Sequence, residues 1–132
     1  MKEALFLSGL SVDLQYSILA DDSMYTPANL SEAIGKLPAL PDCFIAANDS
    51  IALNLMAALK SREIHIPKDV KVVGFDNSPK LKQFTPLLTS CNVDKIALGK
   101  KLTALLLDRV ANPTQANQII HITTKVVVRA ST

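Results

Sequence analysis

Residues 42–49 read Asp-Cys-Phe-Ile-Ala-Ala-Asn-Asp, and residues 50–60 continue Ser-Ile-Ala-Leu-Asn-Leu-Met-Ala-Ala-Leu-Lys. After a polar link, residues 66–79 read Ile-Pro-Lys-Asp-Val-Lys-Val-Val-Gly-Phe-Asp-Asn-Ser-Pro. Two short apolar runs, 43–47 and 71–75, flank one helical run. That alternation predicts a βαβ unit, with parallel strands joined by a crossover helix. Each strand stops abruptly in small polar residues. In an open α/β sheet, ligands bind beyond the carboxyl ends of the strands. Asn48, Asp49, Asp76 and Asn77 are therefore the first candidate site. Asp76 and Asn48 supply acceptors, and Asn48 also supplies donors. A carboxylate beside an amide can hold vicinal hydroxyls, which suits a sugar or a nucleoside. Helix capping and turn formation are the competing use of the same residues.

The helix between the strands is apolar nearly all round: Ile51, Ala52, Leu53, Leu55, Met56, Ala57, Ala58 and Leu59. Such a helix is normally buried all round. A second layer of the same chain would bury it. So would a subunit interface, with Leu55, Met56 and Leu59 as candidates.

Outward from this unit, residues 2–9 read as a short helix ending at Gly9, and 14–19 as a strand. Asp21, Asp22 and Ser23 form a polar loop, as metal ligands or, more commonly for these types, as a turn and cap. Thr26-Pro27 opens a helix running to about Leu37, and Ser50 can cap the central helix. Downstream come a short irregular helix over 80–84, a strand over 87–91 and a long amphipathic helix over 95–110 capped by Asp94. Two extended runs, Gln118–Ile122 and Lys125–Val128, finish the chain.

The 132 residues are 48% hydrophobic and 20% charged, which fits one ordinary soluble domain. Net charge is +2 with dispersed lysines, so this segment lacks the basic stripe of a nucleic-acid groove. Cys43 and Cys91 read as buried thiols without metal spacing and fit a reducing compartment such as the cytoplasm. No run reaches the length of a membrane span, and residues 1–10 lack the pattern of a secretory signal. His65 and His121 read as structural, there is no glycine-rich phosphate loop, and Ser50 and Ser78 lack a nucleophile-elbow context. No catalytic residue, metal site or cofactor is expected.

From Phe44-Ile-Ala-Ala-Asn-Asp-Ser-Ile-Ala-Leu onward the chain resembles the lactose-repressor/galactose-repressor family of bacterial transcription regulators. Ile66–Asn77 matches that family's "IP-D-VVGFD" signature, Thr85–Thr89 its "TPPLTT", and Lys125–Ser131 its "LVVRES". Asp94 with Gly99 resembles its long helix, and Ala4-Leu5 with Gly9-Leu10 a helix end. The resemblance implies an α/β three-layer sandwich with a mostly parallel sheet, the C-terminal lobe of a periplasmic-binding-protein-like effector domain. It assigns residues 1–87 and 118–132 to that lobe and 88–112 to the N-terminal lobe. It implies that the DNA-binding headpiece, most of the N-terminal lobe and the first strand of the C-terminal lobe lie outside this sequence. A ligand-contacting arginine before Met1 would be outside it too.

The resemblance further implies a cytoplasmic, non-enzymatic regulator with a sugar-like effector, touching operator DNA only through the absent headpiece. Effector contacts would fall at Asn48 and Asp76, with Met24 or Tyr25 at an aromatic stacking position. A further contact would fall near Val93, where polar residues occur in other members. A homodimer interface would include Ile51, Leu55, Met56, Leu59 and, from the 80–85 segment, Leu81. Glu63 stands where a helix-ending glycine is usual, at a cost of about 1 kcal/mol if left-handed geometry is kept. Without the other lobe, strand edges and the stripe on the long helix should be bare, favouring association. The alternatives are a periplasmic-type sugar-binding protein and a small flavodoxin-like enzyme or response domain.

Overall fold

The computed structural model of the chain describes residues 2–9 and 13–132. Four helices, α1 (Lys2–Leu7), α2 (Pro27–Gly35), α3 (Asp49–Ser61) and α4 (Lys95–Ala111), accompany four strands, β1 (Cys43–Ile45), β2 (Lys71–Asp76), β3 (Thr89–Asn92) and β4 (Lys125–Val127). The strands form one sheet in the order β1-β2-β3-β4. The first three are parallel and β4 runs antiparallel to β3. The βαβ unit read from residues 42–79 is therefore β1-α3-β2, paired from Cys43↔Lys71 to Ile45↔Val73.

Local chemistry fixes the ends of α3. Asn48 is its N-cap, the side chain accepting the Ile51 N–H at 2.9 Å. The expected cap, Ser50, lies instead within the first turn. Asp49 and Lys60 place acidic and basic charge where the helix dipole favours each. At the far end Glu63 adopts φ 60°. Its N–H donates to Lys60 O at 3.0 Å, and Ile64 N–H to Leu59 O at 3.0 Å. This is the Schellman termination, made here with glutamate in the left-handed position. Thr26 caps α2 through the Asn29 N–H, and Pro27 fills its first turn.

The core lies between the sheet and α3, with α2 laid over α3. Leu30 and Ile34 of α2 meet a cluster containing Phe44, Ala52, Leu55, Met56, Leu59, Val72 and Leu88. Burying each large aliphatic side chain is worth about 1.5–3 kcal/mol. Strand alternation sends Phe44, Val72 and Gly74 toward this layer. The intervening residues Ile45 and Phe75 remain 60% and 41% exposed. Apolar strands of this kind suggest cover on both faces, yet in this chain one face carries the helices and the other is open.

Residues 129–132 fasten the middle of the sheet. Ser131, fully buried, donates its hydroxyl to Val72 O at 2.6 Å and accepts the Thr89 N–H at 2.8 Å. Its carbonyl accepts the Val72 N–H and its N–H donates to Leu87 O. One serine thus pairs the backbones of β2 and of the segment entering β3 just where those two have separated.

Several expectations are corrected. Residues 14–19 form a 3-10 turn over Leu14–Tyr16 followed by irregular chain, not a strand. The Asp13 carboxylate accepts the Gln15 N–H, a local bond that competes with strand formation, and Leu14 and Leu19 are exposed. Gln118–Ile122 is irregular and largely exposed and joins no strand of the sheet. Cys43 is exposed on the edge strand β1, where the open face of the sheet leaves it uncovered. Helix α2 ends at Gly35, two residues early. Strand β3 (Thr89–Asn92) is the third strand of the sheet. The chain leaves the sheet only after Asn92, and α4 then buries no residue.

Candidate functional site

The carboxyl ends of β1 and β2 lie side by side. Asn48 and Asp76 each stand three positions beyond the paired residues Ile45 and Val73. The Asn48 oxygen is used in the helix cap, as the competing reading held. Its amide nitrogen donates to no group among the described residues. The half-buried Asp76 carboxyl likewise has no hydrogen-bond partner among them.

The backbone at this point is unusual. Asp76 has φ 105° and Asn77 φ 49°, two successive non-glycine residues in left-handed space. Each such residue costs about 1–2 kcal/mol, and strain of this kind persists only where surroundings over-determine it. The surroundings do so here. The Asn77 N–H donates to Ser90 Oγ at 3.0 Å, and the Ser78 N–H to Asp49 Oδ2 at 2.6 Å. Ser90 in turn donates its hydroxyl to Asp49 Oδ1 at 2.6 Å. The Asn77 side chain donates to Asn92 Oδ1 at 3.0 Å and accepts Arg129 Nη2 at 2.6 Å. Arg129 Nη1 reaches Leu88 O at 2.7 Å.

Asp49 is 2% exposed at the start of α3, directly over β2. A Cβ at Gly74 would collide with its Oδ1 and stand 2.9 Å from Leu88 Cδ2. The glycine inside this strand is therefore the space that the carboxyl occupies. Sequence reasoning singled out Asp49 and Asn77 but missed Ser90, Asn92 and Arg129. The interior glycine was the one available signal that a polar group approaches there.

The remaining candidates fall elsewhere. The Tyr25 hydroxyl accepts the Ala20 N–H at 3.0 Å, and its carbonyl accepts Asn54 Nδ2 at 2.8 Å. Tyr25 thus ties the 18–20 segment to α3, and its half-buried ring packs on the core. Met24 is about half exposed, with Sδ facing Asn29 Nδ2. Neither is hydrogen-bonded to Asn48 or Asp76. Asp21 and Asp22 serve a 3-10 turn over Asp22–Met24, and no group of side chains among the described residues could hold a metal ion. Of the five interface candidates, Leu55, Met56, Leu59 and Leu81 lie buried in the chain's own core and Ile51 is half-buried. The all-round apolar helix is buried chiefly by its own chain.

Two shallow clefts of about 190 and 210 Å³ run along α4 beside residues 115–120, away from Asn48 and Asp76. Neither cleft is lined by Asn48 or Asp76. No helix among the described residues is long and apolar enough to cross a membrane.

Residues 9–132 match the family described as periplasmic binding protein-like domain. The chain belongs to that family. A relative from Vibrio parahaemolyticus, the HTH-type transcriptional repressor PurR, is 32% identical over 108 residues, 82% of this chain and 31% of the relative. The chain thus spans about a third of the length of that repressor. Among solved structures, a transcriptional regulator CelR–cellobiose complex superposes with TM-score 0.85 at 28% identity, covering 99% of this chain and 40% of the other. A LacI family transcriptional regulator from Enterococcus faecium with bound ribose gives TM-score 0.69 at 25% identity, covering 81% and 40%. The resemblance carried by Phe44–Leu53 and Ile66–Asn77 therefore holds. The relatives are transcription regulators, and the periplasmic-binding-protein-like domain is their effector-binding part.

Proposed function

We propose that this chain forms one wall of the effector site, and a self-associating part, of a sugar-responsive bacterial transcription regulator. The observation that carries the reading is the Asp76 carboxyl on strained backbone, level with the amide nitrogen of Asn48, neither of them hydrogen-bonded among the described residues. That pair can accept from and donate to neighbouring hydroxyls of a sugar ring. Relatives crystallised with cellobiose and ribose support a saccharide over other ligand classes. Operator DNA would be met through a separate helix-turn-helix unit of the kind that the relatives' name records. Binding of effector between two lobes would then shift the population between DNA-competent arrangements.

The test is a chemical-shift titration of the chain with ribose, cellobiose and adenosine, repeated on Asp76→Asn. Asparagine tolerates positive φ, so the variant removes the charge and keeps the turn. A saccharide should perturb residues 48 and 76, with affinity reduced about tenfold or more in the variant, the loss expected for a hydrogen bond to a charged group. Silence from all three ligands, or binding indifferent to the substitution, defeats the reading.

Self-association belongs to the same proposal. The chain exposes 9362 Å². A folded monomer of 14.2 kDa exposes about 6,800 Å². Much of the apolar surplus lies on α4 (Ile96, Leu102, Leu106, Val110) and on the open sheet face (Ile45, Phe75). A second copy docked there would bury surface of the size found in obligate dimers. A single sedimenting species of monomer mass across the accessible concentration range would count against it.

A further inference from the structure

We infer that Asp49 and Arg129 are positioning residues for the strand-end site, an inference that rests on the effector reading above. They clamp the Asp76–Ser78 turn from two separate elements of the chain. Asp49 reaches from the first turn of α3, taking the Ser78 N–H on one oxygen and the Ser90 hydroxyl on the other. Ser90 relays the hold to the Asn77 N–H. Arg129 reaches from the segment after β4, spanning Leu88 O and the Asn77 side-chain oxygen with its two terminal nitrogens. The two residues share no bond with each other, yet both end on the Asn77–Ser78 pair.

The geometry needs both. Successive left-handed residues at Asp76 and Asn77 are disfavoured on their own, and neither is a glycine. Two N–H groups pointing toward Asp49 and Ser90 hold the backbone in that sense. The buried carboxyl has space to do so because Gly74 lacks a Cβ. The arginine fork fixes the side chain of Asn77 while Asn92 accepts its amide. The Asn77 N–H, the Asn77 side-chain oxygen and the Ser78 N–H are thereby spent on the clamp, while the Asp76 carboxyl, with no hydrogen-bond partner among the described residues, is left for a ligand. An arginine held by two bonds to two different segments is pre-organised in a way lysine is not.

The experiment uses Asp49→Asn and Arg129→Lys, each close in shape to the original. Amide hydrogen exchange is followed at Asn77 and Ser78 and, as reference, at Leu59 in the core. Ribose and cellobiose are titrated in parallel. Both variants should accelerate exchange at Asn77 and Ser78 at least tenfold with Leu59 unchanged, and should weaken saccharide binding about tenfold. Uniform acceleration, Leu59 included, means a merely structural role and overturns the inference. So does an unchanged turn, or a loosened turn with unchanged affinity. If the unaltered chain binds neither sugar, the effector reading falls, and the exchange pattern alone decides whether the clamp exists.

Discussion

Helices α3 and α4 carry similar aliphatic content, yet seven of the 13 residues of α3 are buried and none of the 17 in α4. Both are capped by a side-chain acceptor, Asn48 for one and Asp94 for the other. Local propensity therefore does not separate them. What separates them is topology. Helix α3 is the crossover of a βαβ unit, so it must lie back on the strands it connects. Helix α4 follows β3 without returning the chain to a parallel neighbour, and β4 re-enters antiparallel. A helix can thus be written with a strong apolar stripe and still find nothing to bury it among the described residues.

The largest contrast should come from paired truncations. Leu59→Ala, at a fully buried position, should cost about 2–5 kcal/mol in urea unfolding. Leu106→Ala, at an exposed position on α4, should stay within about 0.5 kcal/mol at concentrations where the chain is monomeric. Equal losses would mean that α4 is packed in solution. Next in size is Gly74→Ala, which drives a methyl group into Asp49 and Leu88 and should cost about 1–3 kcal/mol. A neutral result would mean that the Asp49 carboxyl is not seated over β2.

A smaller effect of opposite sign is expected at the end of α3. Glu63→Gly relieves a left-handed glutamate but adds freedom to the unfolded chain, for a net gain of about 0.5–1 kcal/mol by thermal unfolding. The smallest concerns Asp69 on the link between α3 and β2. The backbone N–H and then the ring of His65 hold its carboxyl below the usual carboxylate range. A depressed acid contributes stability above its unfolded value and loses it as pH falls through the folded one. The melting difference between the parent chain and Asp69→Asn should therefore be present at neutral pH and vanish in acid. Because the pair is exposed, the difference should be slight.

The packed half of the molecule was the more legible in sequence. Apolar runs at 43–47 and 71–75 located β1 and β2, and Thr26-Pro27 located α2. Glu63 was recognisable as a left-handed position from the resemblance, which aligned it with a helix-ending glycine. Residues 14–19 misled because the Asp13 carboxylate draws the chain into a 3-10 turn over Leu14–Tyr16, a local bond that the apolar pattern does not announce. The cap of α3 was misplaced by two residues because Asn48, Asp49 and Ser50 are all good capping types, and only geometry selects among them. At the site, Asn48 and Asp76 were identifiable as strand-end polar residues. The Asp49–Ser90–Asn77–Arg129 network was not, since it joins positions up to 52 residues apart whose types each have a commoner surface use.

Ser131 has a consequence for how this protein comes into being. Val72 finds its partners at a residue translated 59 positions later. A nascent chain that has already made β1, α3 and β2 therefore still carries unanswered backbone groups at the heart of its sheet. The link from Val72 to the Leu87–Thr89 segment closes only once residues 129–132 are free to dock, a late event relative to the synthesis of β2. The same dependence makes the join separable from the sheet: Ser131→Ala would remove the hydroxyl that links Val72 O to the Thr89 N–H, while the direct pairing of β2 with β3 from Val73↔Thr89 to Asp76↔Asn92 stays in place.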